Sequence, residues 1–296
     1  MTSINNVAIA KDPHEGLTIG VFDSGVGGLT VLAPLMAEFP NAAFVYLADN
    51  AYMPYGEQSP DLLHQRLQLL LPWLAERCDV IALACNTAAS ILIEHDELTS
   101  WGVPVVDPIQ PVCQQLATLE EANSTTVVVL ATPKTTHSGV YPKVLKGLNP
   151  ALDVRSVSGQ QLAGYFEHGH PDPAAYEALL DEVAADICSH LYEASPASLI
   201  LGCTHYPHMR AALAARLPKT VTLVDPANAM VAKLNNVIQN QLAALPQHAA
   251  TQDNAVIFTV TGDADRFQAV AQQCSGLVVE RVQKWSSPTT KPVIAV

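Results

Sequence analysis

Two cysteines in near-duplicate settings carry the chemistry that this sequence offers most clearly. Cys85 lies in VIALACNTAAS and Cys203 lies in SLILGCTHYPH, so each thiol ends an apolar run and is followed by polar residues. A cysteine side chain is a general base when ionised and a general acid when protonated. Two such groups in matching positions suit a reaction that needs the same chemistry on both faces of one substrate.

The similarity extends past the cysteines and indicates an internal duplication. VPVVDP follows the first motif and VTLVDP follows the second, and in each copy the aspartate, Asp107 or Asp225, comes 22 residues after the cysteine. The two copies are offset by 118 residues. Each copy therefore predicts a half-site that presents one thiol.

Both thiols precede a predicted helix start, where the helix dipole and free amides stabilise a thiolate. The sequence therefore predicts a lowered pKa for Cys85 and for Cys203. The alternative is that each is only a small apolar core residue, but the polar residues directly after both thiols argue against it. The other cysteines lack this setting and are interpreted as structural: Cys78, Cys113, Cys188 and Cys274.

Further polar residues follow predicted strands, and ligands of open α/β sheets bind beyond the carboxyl ends of the strands. These residues are Asp23, Ser24, Asp49, Asn86, Thr87, Thr132, Thr204 and His205. The glycines after Asp23 allow a tight turn into a helix whose N-terminal amides would attract a carboxylate. The simpler interpretation is a glycine turn in which Asp23 or Ser24 caps the helix.

His205 lies two residues after Cys203, close enough to orient or assist that thiol. A zinc site formed by Cys203, His205 and His208 is the alternative. Structural zinc sites usually have four ligands, and no matching pair occurs elsewhere in the sequence. We therefore predict no metal.

Composition argues against several classes of protein. The chain has 296 residues, a net charge of −13 and no cluster of Lys and Arg, which argues against binding of nucleic acid. Six cysteines without a CxxC pair are typical of reduced, intracellular thiols. No signal-peptide pattern is present, and the most apolar stretch, residues 80–93, is too short to span a bilayer. We expect a soluble, cytoplasmic protein that binds no membrane.

Short β-branched runs alternate with segments of helical period, which is typical of an α/β fold with parallel sheets. Strands are predicted at residues 18–22, 44–47, 80–84, 103–106, 126–130, 154–157, 199–201, 221–224 and 256–260, and helices at 61–76, 172–193 and 228–245. The length suits two domains. The first is predicted to comprise residues 1–108 plus 211–296, with 1–16 a mobile arm, and the second residues 109–210.

Five motifs in a fixed order resemble bacterial glutamate racemases of the aspartate/glutamate racemase family. They are VFDSGVGGLTVL, PYG, CNTA, ATPKTTHSGVY and GCTHYP, and the later FTVTGDADRF resembles that family's TGDxxxF segment. The resemblance covers nearly the whole chain from Leu17 to about Val282. It implies two flavodoxin-like parallel-sheet domains related by pseudo-two-fold symmetry, with the active site between them.

The resemblance further implies a racemase that interconverts L- and D-glutamate without any cofactor and supplies D-glutamate for peptidoglycan synthesis. One thiolate removes the α-proton from one face of the substrate, and the opposing thiol returns a proton from the other. By the family's assignments, Cys85 acts on D-glutamate with help from Asp23, and Cys203 acts on L-glutamate with help from His205. Glu167 is carried over as the partner of His205, although its segment, SVSGQQLAGYFEHG, departs from the family's usual CP-type start.

The resemblance also identifies the residues that contact substrate. They are Asp23, Ser24, Tyr55, Gly56, Asn86, Thr87, Thr132, Thr135, Thr204 and His205. It is compatible with a homodimer, but the sequence does not determine the oligomeric state.

Several alternatives stay open at the level of sequence. An aspartate racemase, or a related acid racemase or decarboxylase, could use the same scaffold, although a decarboxylase needs only one proton donor. A cysteine hydrolase would pair Cys203 with His205 and leave Cys85 idle. A non-enzymatic binding protein is the third alternative. A pyridoxal enzyme is disfavoured, because the only lysine near a strand end, Lys134, lies in a predicted loop without a supporting motif.

Overall fold

A computed structural model of the protein describes residues 16–118, 126–159, 161–168, 172–192, 195–242, 256–279 and 281–286. The mobile arm predicted at residues 1–16 lies outside the described residues except for Gly16. Within the described ranges, none of the helices combines the length and the apolar character needed to cross a bilayer.

The strands are short, aliphatic and mostly buried, as expected for parallel sheets covered on both faces. Their bounds are β1 Thr18–Asp23, β2 Ala43–Ala48, β3 Val80–Leu83, β4 Val105–Val106, β5 Thr126–Ala131, β6 Asp153–Ser158, β7 Ala197–Gly202, β8 Val221–Val224, β9 Val256–Val260 and β10 Val282–Lys284. They form a six-stranded sheet in the order β10-β9-β2-β1-β3-β4 and a four-stranded sheet in the order β6-β5-β7-β8. All pairings are parallel.

All nine predicted strands are present, and within the described ranges β10 is the one strand that the sequence analysis missed. Its sequence, VQK, has no apolar run and is only partly buried. It forms a strand because it pairs with the edge of β9. In so short a segment, pairing with another strand leaves no recognisable pattern in the sequence.

The helices lie between the strands along the chain. Their bounds are α1 Leu29–Glu38, α2 Pro60–Ala75, α3 Asn86–Glu94, α4 Ile109–Ala117, α5 Pro133–Ser138, α6 Val140–Leu148, α7 Leu162–His168, α8 Pro173–Ser189, α9 Arg210–Ala214, α10 Pro226–Gln241 and α11 Ala264–Ser275. The three predicted helices correspond to α2, α8 and α10. Each begins with a proline preceded by a side-chain cap, Ser59, Asp172 or Asp225, which is a strong local start signal.

The duplication inferred from the sequence is visible in the topology. The order β2-β1-β3-β4 in the first sheet is repeated as β6-β5-β7-β8 in the second, and the two cysteines follow the equivalent strands β3 and β7. The duplicated aspartates serve as helix caps. Asp107 accepts from the amides of Ile109 and Gln110, both at 2.8 Å, and Asp225 accepts from the amide of Ala227 at 2.9 Å.

The domain boundary predicted at residues 210/211 is wrong. Strand β8 lies after that boundary, yet it pairs with β7 in the second sheet. The chain returns to the first sheet only at α10, whose Met230 and Leu234 share a core cluster with Ile19 of β1. The duplicated motifs agree with this result, since VPVVDP and VTLVDP each supply the closing strand of their own sheet.

The two sheets are joined by a common apolar core. Leu83 of β3 and Ile109 of α4 belong to the same buried cluster as Val129 of β5 and Ile200 of β7. Helix α4, which begins at the other predicted boundary, packs against both α6 and α10. The carboxyl ends of the two sheets are therefore held facing one another, with a cleft between them.

Candidate active site

A single cleft between the two sheets collects most of the residues singled out in the sequence. It is lined by Ser24, Pro54, Tyr55, Gly56, Glu57, Cys85, Asn86, Thr87, Thr132, Pro133, Ala163, Gly164, Cys203, Thr204 and His205. Each sheet contributes from the carboxyl ends of its strands, as is usual for ligand sites of open α/β folds. Asp23 and Thr135 do not line the cleft, but both hydrogen bond to residues that do.

The two thiols reach this cleft from different sheets. Cys85 follows β3 and is the N-cap residue of α3, whereas Cys203 follows β7. Both side chains are nearly enclosed, with exposed fractions of 5% and 7%. Two buried thiols around one small space give the arrangement needed to approach a ligand from two sides.

The electrostatic setting of Cys85 differs from the expectation. Burial raises the pKa of its thiol well above the ordinary value, and the nearby Asp23 carboxylate and Cys203 raise it further. The amide of Ala88 and the hydroxyl of Ser24, whose Oγ lies 3.8 Å from Sγ, act in the opposite direction but are weaker. The predicted lowering of the pKa is wrong for Cys85, because desolvation and the proximity of Asp23 and Cys203 destabilise the thiolate more than the helix start stabilises it.

Cys203 has a different partner. Its Sγ lies 3.6 Å from Nδ1 of His205, which is also buried. No full helix begins directly after it, since a 3₁₀ turn, Tyr206–Met209, precedes α9. Burial and the neighbouring His205 lower the pKa of His208, which lies on that turn. Among the described residues, no group of three His, Cys, Asp or Glu side chains is arranged to hold a metal ion.

Asp23 links the loops that follow β1 and β7. This fully buried carboxylate accepts from the amide of Gly25 at 3.1 Å and from Oγ1 of Thr204 at 3.3 Å. Thr30 donates to the carbonyl oxygen of Thr204 at 3.0 Å, which adds a second link across the cleft. Neither Asp23 nor Ser24 caps α1, because that helix begins after Gly28 without a side-chain cap, so the simpler interpretation of this turn does not hold.

The glycine segment after Asp23 is required by close approach rather than by an unusual φ. A Cβ atom at Gly27 would lie 2.3 Å from Oγ1 of Thr204 and 2.7 Å from Cε1 of His205. Such distances are far inside van der Waals contact. The loop after β1 thus packs directly against the residues that follow Cys203.

Three threonine hydroxyls form a triangle at the opposite wall of the cleft, which Thr87 and Thr132 line and Thr135 supports from behind. The hydroxyl oxygens of Thr87 and Thr132 lie 3.0 Å apart, and that of Thr135 lies 3.2 Å from Thr87 and 3.0 Å from Thr132. Thr132 also caps α5 by accepting from the amide of Thr135. This triangle joins the start of α3 in the first domain to the start of α5 in the second.

Tyr141 is a residue that the analysis of strand ends missed. Its hydroxyl donates to Oδ1 of Asn86 at 2.6 Å, and the ring is buried. With its oxygen occupied in this way, the Asn86 amide is left with its NH₂ group to donate elsewhere. The signal was present in the motif ATPKTTHSGVY, but the hydroxyl acts from α6 and not from a strand end.

The remaining predicted site residue, Glu167, lies on α7. This helix brings Ala163 and Gly164 to the cleft. The side chain of Glu167 lies outside the part of the chain that the structure describes, so its pairing with His205 stays a prediction. The sequence analysis missed five lining residues: Ala163 and Gly164 on α7, and Pro54, Glu57 and Pro133, which flank residues that it named.

Comparisons with known proteins identify one family that matches most of the chain. Residues 31–234 match the family model described as Asp/Glu/Hydantoin racemase. The chain is 34% identical over 272 residues to a glutamate racemase of Desulforudis audaxviator, an alignment that covers 90% of this chain and 96% of that protein.

Two solved structures share the fold over almost their whole length. A glutamate racemase isoform from Bacillus anthracis has a TM-score of 0.81 at 26% identity and covers 92% of this chain and 98% of its own. Glutamate racemase from Francisella tularensis, solved in complex with D-glutamate, has a TM-score of 0.79 at 27% identity with the same coverage of 92% and 98%.

Proposed function

Because the chain belongs to the Asp/Glu/hydantoin racemase family, we propose that it interconverts L- and D-glutamate by using its two thiols as acid and base, without a cofactor. The observation that carries this proposal is that Cys85 and Cys203 reach one enclosed cleft from two different sheets. Inversion at a carbon requires a base on one face and an acid on the other. The relatives' activity and the D-glutamate bound to the Francisella tularensis protein support glutamate as the substrate.

The two thiols have different surroundings. The raised pKa of Cys85 keeps its proton in place, so it is the acid towards L-glutamate. The scheme assigns the role of base in that direction to Cys203, whose Sγ lies 3.6 Å from Nδ1 of His205. In the L-to-D direction the Cys203 thiolate takes the α-proton, and Cys85 delivers its own proton to the opposite face of the carbanion. The protein then holds a Cys85 thiolate and a Cys203 thiol, which is the starting state for the reverse reaction.

Asp23 and His205 act through the thiols in this scheme. The Asp23 carboxylate raises the pKa of Cys85 and thereby makes the Cys85 thiolate a stronger base towards D-glutamate. His205 is the neighbouring side chain of Cys203, with Nδ1 3.6 Å from Sγ, and orients that thiol. The different partners, a carboxylate in one half and an imidazole in the other, break the symmetry that the duplication would otherwise give.

The wall of the cleft supplies neutral donors for the substrate carboxylates. The hydroxyls of Thr87 and Thr132 and the amide of Asn86 are buried donors, and the described lining contains no Lys or Arg. Fixed dipoles in an enclosed site stabilise developing negative charge more effectively than water does. Such donors suit a dianionic substrate whose α-carbon must carry further charge in the transition state.

The role of the reaction in the cell follows from the family resemblance. We propose that the product, D-glutamate, is used for peptidoglycan synthesis and that the protein acts in the cytoplasm. A homodimer stays a prediction. Aspartate is the alternative substrate, and it differs only by one methylene group.

Solvent isotope incorporation tests the reaction. Incubation of the protein with L-glutamate in deuterium oxide is expected to yield D-glutamate with deuterium at the α-carbon, because Cys85 returns a proton that has exchanged with solvent. Unreacted L-glutamate should stay protiated at early times, since a different thiol removes its proton. Chiral chromatography with mass spectrometry measures both species, and L-aspartate is the control substrate. Product without solvent deuterium, or activity only with added pyridoxal phosphate, would contradict the mechanism.

Tyr141→Phe tests how the amide of Asn86 is held. The variant removes the donor 2.6 Å from Asn86 Oδ1 and leaves that oxygen free to rotate towards the cleft. One such buried hydrogen bond is worth about 1–1.5 kcal/mol, so kcat/KM is expected to fall about tenfold. Steady-state kinetics in both directions measures the change, with thermal unfolding as the control for folding. An unchanged kcat/KM would show that the orientation of Asn86 does not depend on Tyr141.

A further inference from the structure

The late TGD segment, residues 261–263, is a motif that the cleft itself does not use. It follows β9 directly and is bonded to the first residues after β2. The amide of Thr261 donates to the carbonyl of Ala48 at 3.0 Å, and the amide of Gly262 donates to Oδ1 of Asn50 at 2.6 Å. Asn50 returns a bond from Nδ2 to the carbonyl of Asp263 at 3.0 Å. The end of β9 thus holds the start of the loop that leads to Tyr55 and Gly56.

Asp49 is the centre of this contact. Its fully buried carboxylate accepts four hydrogen bonds, two on each oxygen. Arg66 donates to both oxygens, at 2.8 and 3.0 Å, Thr261 donates from Oγ1 to Oδ1 at 2.6 Å, and Tyr55 donates from its hydroxyl to Oδ2 at 2.6 Å. All acceptor sites of the carboxylate are therefore in use. The bidentate arginine adds a fixed geometry as well as charge compensation.

The guanidinium of Arg66 is itself held in place by two aromatic rings. Its guanidinium lies over the ring of Tyr52, 4.2 Å from the centroid, and 5.9 Å from the ring centroid of Trp285. Stacking of this kind restricts the planar guanidinium to one orientation. Tyr52 belongs to the loop and Trp285 follows β10, so the C-terminal strands contribute a second contact.

The position of Tyr55 and Gly56 is sensitive to this network. Tyr55 is 2% exposed, and burial and Asp49 raise the pKa of its hydroxyl, which keeps it a donor. A Cβ atom at Gly56 would lie 2.9 Å from Cβ of Thr132 in the other domain. The loop therefore already touches the opposite wall. Tyr55 and Gly56 both line the cleft, so a displacement of Tyr55 would move its wall.

We propose that Asp49, Arg66 and Thr261 form a positioning network that holds Tyr55 and Gly56 at the width needed for substrate binding, so that substrate affinity depends on strand β9. This inference rests on the proposed function. None of the three residues lines the cleft. The network acts on the bound substrate through Tyr55 and Gly56, and it does not touch the thiols that move the protons. The network therefore stabilises the bound substrate and the transition state equally. Its loss is expected to raise KM and to leave kcat nearly unchanged.

Thr261→Val removes the hydroxyl that donates to Asp49 and keeps the branched shape. We expect KM for both enantiomers to rise about tenfold with kcat within about twofold, since a hydrogen bond to a charged group is worth about 1.5 kcal/mol or more. Thr261→Ser restores the hydroxyl, and KM should return to within about threefold of the wild-type value. The Kd for D-glutamate, measured by calorimetry, should follow KM.

The matched control is Thr259→Val. Thr259 lies two residues earlier, on β9, is more deeply buried than Thr261, and its hydroxyl accepts from Gln283 at 2.9 Å, away from the loop. This variant should lower Tm as Thr261→Val does but leave KM unchanged. Equal KM in Thr261→Val and wild type, equal KM increases in both valine variants, or no rescue by serine would each overturn the network. If the wild-type protein does not racemise glutamate, the proposed function fails, whereas calorimetry with D-glutamate on the same variants still tests the network.

Discussion

Cys85→Ala and Cys203→Ala are each expected to abolish racemisation in both directions, with kcat/KM lowered by at least about 10³-fold. Each variant keeps one face of the cleft intact but lacks either the base or the acid for a given direction. L- and D-glutamate have equal free energies, so the ratio of kcat/KM in the two directions must stay at unity for any variant. Loss in one direction alone would therefore signal a faulty assay.

The control for this prediction is Cys78→Ala. Cys78 is a buried thiol like the other two, but it lies before β3, at the end of the sheet away from the cleft, and its Sγ contacts the carbonyl of Leu74. Its replacement should lower Tm and leave kcat/KM within about threefold of wild type, because core truncation acts on folding. Full activity of Cys85→Ala beside an inactive Cys203→Ala would instead support a chemistry with one nucleophile, as in the hydrolase alternative.

Gly27→Ala is the second substitution for which a large effect is expected, although it adds only one methyl group. That methyl would meet Oγ1 of Thr204 at 2.3 Å and Cε1 of His205 at 2.7 Å. These side chains must move. Their movement disturbs the hydrogen bond from Thr204 to Asp23 and the contact of His205 with Cys203. Misplacement of catalytic groups by about 1 Å costs about 10²-fold in rate, so kcat/KM should fall by about that factor.

The loss of stability in Gly27→Ala should be modest, about 1–3 kcal/mol, as for other overpacked sites. Gly147→Ala is the matched control, because a Cβ atom at Gly147 has nothing within 4 Å. Gly147 lies within α6, where alanine is favoured over glycine by about 1 kcal/mol, so that variant should be fully active and slightly more stable. Kinetics and thermal unfolding of both variants separate the two effects. Wild-type kcat/KM in Gly27→Ala would show that the loops after β1 and β7 do not pack this closely during turnover.

The fold class and the candidate thiols were accessible from the sequence because their signals are local. In the sequence, an aliphatic run indicates a buried parallel strand, and a capping residue followed by proline indicates the start of a helix. The duplication added a second, independent signal, since Cys85 and Cys203 stand at the same distance from Asp107 and Asp225. Most of the residues around the cleft could be named for the same reason, because a polar residue directly after a strand can be identified one segment at a time.

What the sequence could not determine depends on contacts between distant segments. The pKa of Cys85 is set by burial and by Asp23, 62 residues earlier, so the local helix start gave the wrong sign. The pairing of β8 with β7 decides the domain boundary, and the bond from Thr261 to Asp49 joins residues 212 positions apart. Sequence patterns report the propensity of a segment and which of its faces is buried. Desolvation, through-space charge and hydrogen bonds between domains arise only when the chain has brought those segments together.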